Sequence, residues 1–193
     1  MKALRVLARV VTEASTPTLL VGLLLPLIGY ESGGYRGLWL GLLASVFSAV
    51  VPFVFVLRRT RSGRLSDHHV RNRADRAVPL LVSLLSVMLG FALLTVLHAP
   101  RQLLAVMIAG VAGIVITIAV THWWKISIHT GAASGCTTVL AMTFGVAALP
   151  AFPILVVIGW SRVVLREHTV AQVVAGAAVG ALTTGVVLTM LNG

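Results

Sequence analysis

Two uninterrupted stretches of the chain, Gly37–Leu57 and Gln102–Thr121, contain no charged side chain. An α-helix needs about 20 mainly apolar residues to cross the hydrocarbon core of a bilayer, and each stretch has that length. Of the 193 residues, 58% are hydrophobic and only 10% are charged, whereas soluble domains carry roughly 25% charged residues. Strands of a membrane β-barrel would alternate apolar and polar residues over short segments. The chain is therefore predicted to be an all-α transmembrane protein and not a soluble domain.

Seven apolar segments follow one another, so the predicted fold is a polytopic helix bundle with about six to seven membrane segments in a single domain, residues 1–193. The segments are Val10–Tyr30, Gly37–Leu57, Val78–Leu97, Gln102–Thr121, a fifth that opens in His122–His129 and runs to Ala148, Phe152–Leu165 and His168–Leu191. Lys2–Val11 is amphipathic, which is typical of a helix in the membrane interface. We expect this region to be a retained helix and not a removed signal peptide, because Glu13 interrupts the apolar run.

Gly176 and Gly180 form a small-xxx-small pattern on the last segment, with Ala175, Ala177 and Ala178 beside them. In membranes this spacing is typical of helices whose backbones approach closely. The last helix is therefore predicted to pack tightly against a neighbour.

The net charge of +10 is distributed unevenly over the predicted loops. If the chain crosses the membrane at each segment, all but two of the 15 basic residues share one face with the N-terminus; Arg36 and Arg101 are the exceptions. The positive-inside rule assigns that face to the cytoplasm, which predicts a multi-pass protein of the cell membrane with a cytoplasmic basic face. Anionic headgroups of the bilayer account for this charge, so no nucleic-acid partner is expected.

The most specific polar cluster combines an arginine and a histidine on this face. Arg162 follows Ser161, His168 comes after five further residues, and Gln172 lies four positions beyond it. The spacing resembles the third signature of the type 2 phosphatidic acid phosphatase (PAP2) superfamily, S-R-x5-H-x3-D, with Gln172 in place of the aspartate. The run from His168 to Val173, His-Thr-Val-Ala-Gln-Val, is similar to members that act on isoprenoid phosphates. The resemblance covers roughly residues 64–190.

The resemblance implies that His168 is the nucleophile of a phosphatase and that Arg162 belongs to its phosphate clamp. On chemical grounds alone, a neutral imidazole can attack phosphorus if its other ring nitrogen is held by an acceptor. Gln172, four residues later, is expected to share a helical face with His168 and to orient it. Its amide oxygen lacks the charge of a carboxylate, and Glu167 is the alternative partner.

Two further clusters fall on the same predicted face. Ser127 and His129 match two positions of the family's second signature, P-S-G-H, which implies that His129 protonates the leaving oxygen. A general acid needs a pKa near neutrality, as histidine has. His69 and Arg76 have the spacing of the basic residues in the first signature, K-x6-R-P, and guanidinium forks suit phosphate. Ser127 and Lys125 are further candidates for binding phosphate.

Together these residues predict a membrane phosphatase that removes phosphate from an isoprenoid phosphate or diphosphate through a phosphohistidine, with no metal or cofactor. A phosphatidic acid or phosphatidylglycerol phosphate substrate is the alternative within this class. A non-catalytic lipid-binding protein or a transporter is the alternative outside it, since Ile126, Ile128 and Gln172 depart from the signatures. The sequence leaves open whether the chain forms a homo-oligomer.

Overall fold

A computed structural model describes residues 2–61 and 77–192, and within these ranges the chain is helical and has no strand. The helices are α1 (Lys2–Ala14), α2 (Pro17–Ser45), α3 (Val51–Arg61), α4 (Ala77–Val96), α5 (Arg101–Trp123), α6 (Ile128–Phe144), α7 (Ala151–Val164) and α8 (Val170–Asn192). A π-helical turn, Val46–Val50, joins α2 to α3, and a 3-10 turn, Gly145–Ala148, follows α6. The predicted all-α class is confirmed for this part of the chain.

Five helical stretches of the described residues are long and apolar enough to cross a membrane. They are Pro17–Arg61, Ala77–Val96, Arg101–Trp123, Ile128–Ala148 and Val170–Leu191. Large aliphatic side chains cover the outer surface, where Leu23, Leu85 and Val156 are 71%, 66% and 70% exposed. Lipid chains tolerate a continuous apolar surface of this kind, and water does not. The chain is therefore a multi-pass membrane protein.

The longest of these stretches reverses direction inside α2. Gly33 and Gly34 have non-helical torsions, and Gly34 adopts a φ of 57°. On either side of the turn the backbones touch, since a Cβ on Gly29 would lie 2.2 Å from the carbonyl oxygen of Gly37. Only glycine permits the close approach at Gly29, and glycine adopts the positive φ at Gly34 without strain. The turn falls between the first two predicted segments, so α2 consists of two antiparallel limbs.

The predicted first segment, Val10–Tyr30, is wrong at its start. Pro17 opens α2, and the N-cap Thr16 accepts a hydrogen bond through Oγ1 from the backbone N of Leu19 at 3.3 Å. A threonine N-cap followed by proline specifies a new helix start, whatever the hydropathy on either side. The preceding residues form the separate helix α1, which packs against α7.

Helices α6 and α8 run parallel with their backbones in contact, as the small-residue pattern predicted. A Cβ on Gly180 would lie 2.0 Å from the carbonyl oxygen of Gly131, and one on Gly176 would lie 2.4 Å from that of Ser127. Because both helices point the same way, their first turns lie together at one end of the bundle. His129 lies in the first turn of α6, and His168 lies just before the first turn of α8.

Candidate functional site

A cavity of about 170 Å³ lies at the end of the bundle where α6 and α8 begin. His129, Arg162 and His168 line it, and the remaining walls, mainly apolar, include Pro17 and Pro79 from the starts of α2 and α4. The three polar side chains are only 7%, 2% and 6% exposed, in that order. Two of the predicted clusters therefore meet in one cavity, which we call the polar cavity.

His168 lies in the connection between α7 and α8, and not within the last helix as predicted. Its Nδ1 is 3.2 Å from Oε1 of Gln172. That oxygen also accepts the backbone N–H of Thr169 at 3.2 Å, while the N–H of Gln172 donates to Oγ1 of Thr169 at 3.3 Å. This reciprocal pair is a capping box. The contact arises because the box folds the Gln172 side chain back over the helix start, and not because both residues share a helical face.

The capping box also determines the tautomer of His168. A backbone N–H can only donate, so the Gln172 atom facing Thr169 must be the amide oxygen. An amide oxygen can only accept, so Nδ1 of the neutral His168 ring carries the proton. In this neutral form of the ring the lone pair is on Nε2.

Arg162 is held from two sides near the end of α7. Its guanidinium pairs with the carboxylate of Glu167, and the two side chains are 2% and 4% exposed. Nη1 of Arg162 also donates to Oγ1 of Thr12 on α1 at 3.4 Å. The Thr12 hydroxyl is 3.1 Å from Oγ of Ser161. The arginine therefore enters the cavity wall with its charge balanced and its position restrained.

Sequence reasoning missed Thr12, which is 1% exposed. The available signal was a stripe of small residues, Ala8 and Thr12 on one side of a largely basic and aliphatic helix and Ser15 just after its end. All three are buried, whereas Leu7 and Val10 on the same helix are 52% and 59% exposed. The small stripe is the face that lets α1 approach α7.

The turn after α7 is a Schellman motif, and it creates the arginine–glutamate pair. Arg166 adopts a left-handed φ of 57°. Its N–H donates to the carbonyl of Val163 at 2.9 Å, and the N–H of Glu167 donates to that of Arg162 at 3.1 Å. The second bond places Glu167 against Arg162, at the two positions of the motif where a hydrophobic contact is usual. Here an ion pair occupies that place, and Lys125 Nζ donates to the Glu167 carbonyl at 2.8 Å.

Ser127 and Lys125 do not line the polar cavity. Ser127 is the fully buried N-cap of α6; its Oγ accepts from the N–H of Thr130 at 3.4 Å, and its own N–H donates to the Gln172 carbonyl at 3.1 Å. Together with the Lys125 bond, these contacts attach the α5–α6 connection to the start of α8. The role of both residues in binding phosphate stays a prediction.

His69 and Arg76, the other predicted phosphate ligands, lie outside the described residues. The chain leaves α3 at Arg61 and re-enters the described part at Ala77. Their predicted roles therefore rest on spacing in the sequence.

No family model, curated protein or solved structure matches this chain. The likeness to the PAP2 superfamily accordingly stays a resemblance carried by a few residues. The polar cavity combines a buried guanidinium with two imidazoles, and the neutral His168 ring has its lone pair on Nε2.

Proposed function

We propose that this chain is an integral membrane phosphatase that removes phosphate from an isoprenoid phosphate or diphosphate. The supporting observation is that His129, at the start of α6, lines one cavity together with Arg162 and His168, which lie at and just after the end of α7. A transferring phosphoryl group spreads its charge over three oxygens, so catalysis depends on fixed positive groups and on placing an in-line nucleophile. A buried arginine and two imidazoles suit both requirements.

In the proposed reaction, Nε2 of His168 attacks phosphorus and forms an N–P bond while the bond from phosphorus to the leaving oxygen breaks. His129, as imidazolium, gives its proton to that oxygen, so the lipid alcohol departs neutral. Water then attacks the phosphohistidine, and His129 takes up a proton from the water. Inorganic phosphate leaves, and the lone pair returns to Nε2. Arg162 stabilises the oxygens in both steps.

Gln172 would act on His168 rather than on the substrate. During the first step the imidazole ring gains positive charge, and the amide oxygen on Nδ1 stabilises that charge through its hydrogen bond. The stabilisation is smaller than a carboxylate would supply, because the amide is neutral. We therefore expect a functional but slower nucleophile.

The proposed topology has seven membrane segments, with the limbs of the reversed stretch Pro17–Arg61 counted separately and α7 included as a short crossing. Helix α1 lies at the membrane surface, at the end of the bundle that carries the polar cavity, because Thr12 contacts Arg162 there. That end is the basic face, which the positive-inside rule assigns to the cytoplasm of a cell membrane. A cytoplasmic site suits a lipid phosphate that is made inside the cell.

The test is phosphate release by the purified protein in lipid nanodiscs. The panel contains polyprenyl phosphates, polyprenyl diphosphates, phosphatidic acid and phosphatidylglycerol phosphate. We expect release from the polyprenyl substrates, loss of release in His168→Ala, and a decrease of about 10²- to 10⁴-fold in His129→Ala. The matched control is His122→Ala, which changes an exposed histidine near the same end of the bundle.

Acid-labile labelling of the protein by a ³²P-labelled substrate should appear in the parent and disappear in His168→Ala. Equal phosphate release by the parent and His168→Ala would contradict the assignment. A transporter would instead carry lipid phosphate across vesicle membranes at a rate that His168→Ala leaves unchanged.

A further inference from the structure

A second and larger cavity of about 270 Å³ lies beside the polar cavity. Its lining is mainly aliphatic side chains and glycine from α2, α4, α5, α6 and α8. Pro17, Pro52, Leu80 and Ile128 are among the residues that line both cavities, so the two spaces adjoin. We call the second space the apolar cavity.

The apolar cavity extends away from the polar one along the bundle. On α6 its wall runs from Ile128 to Val139, which is roughly 16 Å at a rise of about 1.5 Å per residue. Half of a hydrocarbon core is about 15 Å. The apolar cavity therefore reaches from the level of His129 and His168 to about the middle of the bilayer, the depth at which lipid tails of one leaflet end.

Two glycines on α5 keep part of this space open. A Cβ on Gly110 or Gly113 would meet no atom within 4 Å, and both residues line the cavity. Gly110 is exposed and Gly113 is half-buried. The cavity is thus open towards the outer surface of α5, where the surrounding solvent is lipid.

We infer that the apolar cavity binds the single hydrocarbon tail of a lipid whose phosphate occupies the polar cavity, and that Gly110 and Gly113 set the room for that tail. The identity of the phosphate end rests on the proposed function. The volume suits one tail, because it lies just below the range of about 300–1,000 Å³ that is usual for sites of whole small molecules. A linear prenyl chain fits this space better than the two chains of a glycerophospholipid.

The test uses a polyprenyl phosphonate, which cannot be hydrolysed, with a diazirine at the far end of its tail. After illumination in nanodiscs, cross-linked peptides should map to the α5 wall between Met107 and Ile114. Gly113→Leu should lower this labelling at least about tenfold, because a side chain then occupies the cavity. Gly110→Leu is the second variant. Ala119→Leu, on an exposed position of α5, is the matched control and should stay within about twofold of the parent.

Three labelling results and one competition result would overturn the inference. One is labelling spread over lipid-facing positions such as Leu85 and Val156. Another is labelling of the cavity that Gly113→Leu does not reduce. The third is equal labelling by the polyprenyl alcohol, which would identify an ordinary membrane lipid as the occupant. Competition by phosphatidic acid as strong as that by a polyprenyl phosphate would contradict the single tail.

Phosphate release from the same preparations separates this inference from the proposed function. If the parent hydrolyses polyprenyl phosphate but the cavity is not labelled, the tail site is wrong and the phosphatase stands. If Gly113→Leu abolishes labelling but no preparation releases phosphate, the tail site stands and the phosphatase is wrong. If the tail site and the phosphatase are both correct, Gly113→Leu should lose activity on long-chain substrates and keep it on a short-chain prenyl phosphate.

Discussion

Replacing Arg162 by methionine tests the ion pair beside the polar cavity. The side chains of Arg162 and Glu167 are only 2% and 4% exposed, so water screens neither charge. Removing one partner of a buried pair lowers the free energy of unfolding by about 3–5 kcal/mol, because the other charge stays buried. R162M is therefore expected to be destabilised by about that amount. Combining it with Glu167→Gln removes the remaining charge, and the double variant should be more stable than R162M alone.

The contacts of Arg162 give the free energy of unfolding that Glu167→Gln should restore to R162M. R162M also loses the hydrogen bond to Thr12, worth about 0.5–1.5 kcal/mol, and the double variant does not regain it. The remainder, roughly 2 kcal/mol or more, comes from the buried Glu167 charge. Unfolding in detergent, followed by circular dichroism as the sodium dodecyl sulfate fraction increases, measures these free energies. Arg36→Met is the control, since Arg36 is exposed and donates to backbone carbonyls at the opposite end of the bundle.

Additive losses below about 1 kcal/mol for R162M and E167Q would refute the reasoning, because that is how a surface ion pair behaves. Phosphate release adds an independent readout. E167Q keeps the guanidinium and should keep activity, whereas the double variant should fold and lack activity. A stable and inactive double variant would therefore assign Arg162 to the proposed chemistry as well as to the fold.

Four further substitutions probe other contacts. Gln172→Glu keeps the acceptor and adds a charge that stabilises the imidazolium of His168, so the acid limb of the pH–rate profile should move to higher pH, by about one unit or more. Thr12→Val removes a buried hydroxyl bonded to α7, which should lower the free energy of unfolding by about 1 kcal/mol and raise KM more than it lowers kcat. Gly180→Ala places a Cβ 2.0 Å from a carbonyl oxygen and should destabilise the fold by about 1–3 kcal/mol. Gly110→Ala faces open space and should stabilise it by up to about 1 kcal/mol.

Each of these predictions has a result that would contradict it. An unmoved acid limb in Gln172→Glu would mean that this side chain does not face the imidazole. Thr95→Val makes the same change at an exposed position on α4, and an equal loss there would show that the Thr12 contact is not special. Equal effects of alanine at Gly180 and Gly110 would contradict the close contact of α6 and α8.

The helical membrane fold could be predicted from the sequence, because lipid offers no hydrogen-bond partners and each span must satisfy its own backbone. The close packing of the last helix was predictable because the spacing of Gly176 and Gly180 lies within one helix, whereas its partner α6 was not. The start of the first span was mispredicted although Thr16 and Pro17 mark it. An apolar run that continued across these two residues outweighed the local signal for a helix start.

The contact between His168 and Gln172 was within reach of the sequence, since both belong to one capping turn and the residues of a capping box are local. The pairing of Arg162 with Glu167 was not, because it requires the left-handed backbone of Arg166, which a non-glycine residue rarely adopts.

The sequence predicted Ser127 and Lys125 as phosphate ligands, but it did not reveal that the N–H of Ser127 and Nζ of Lys125 donate to the carbonyls of Gln172 and Glu167, next to the start of α8. Residues a turn apart meet because the helix itself holds them together. Residues from distant connections meet only where helices pack, and packing turned His129, Arg162 and His168 towards a common cavity. The orientation of these side chains depends on how all the neighbouring helices pack. One example is the glycine contacts that bring the starts of α6 and α8 side by side.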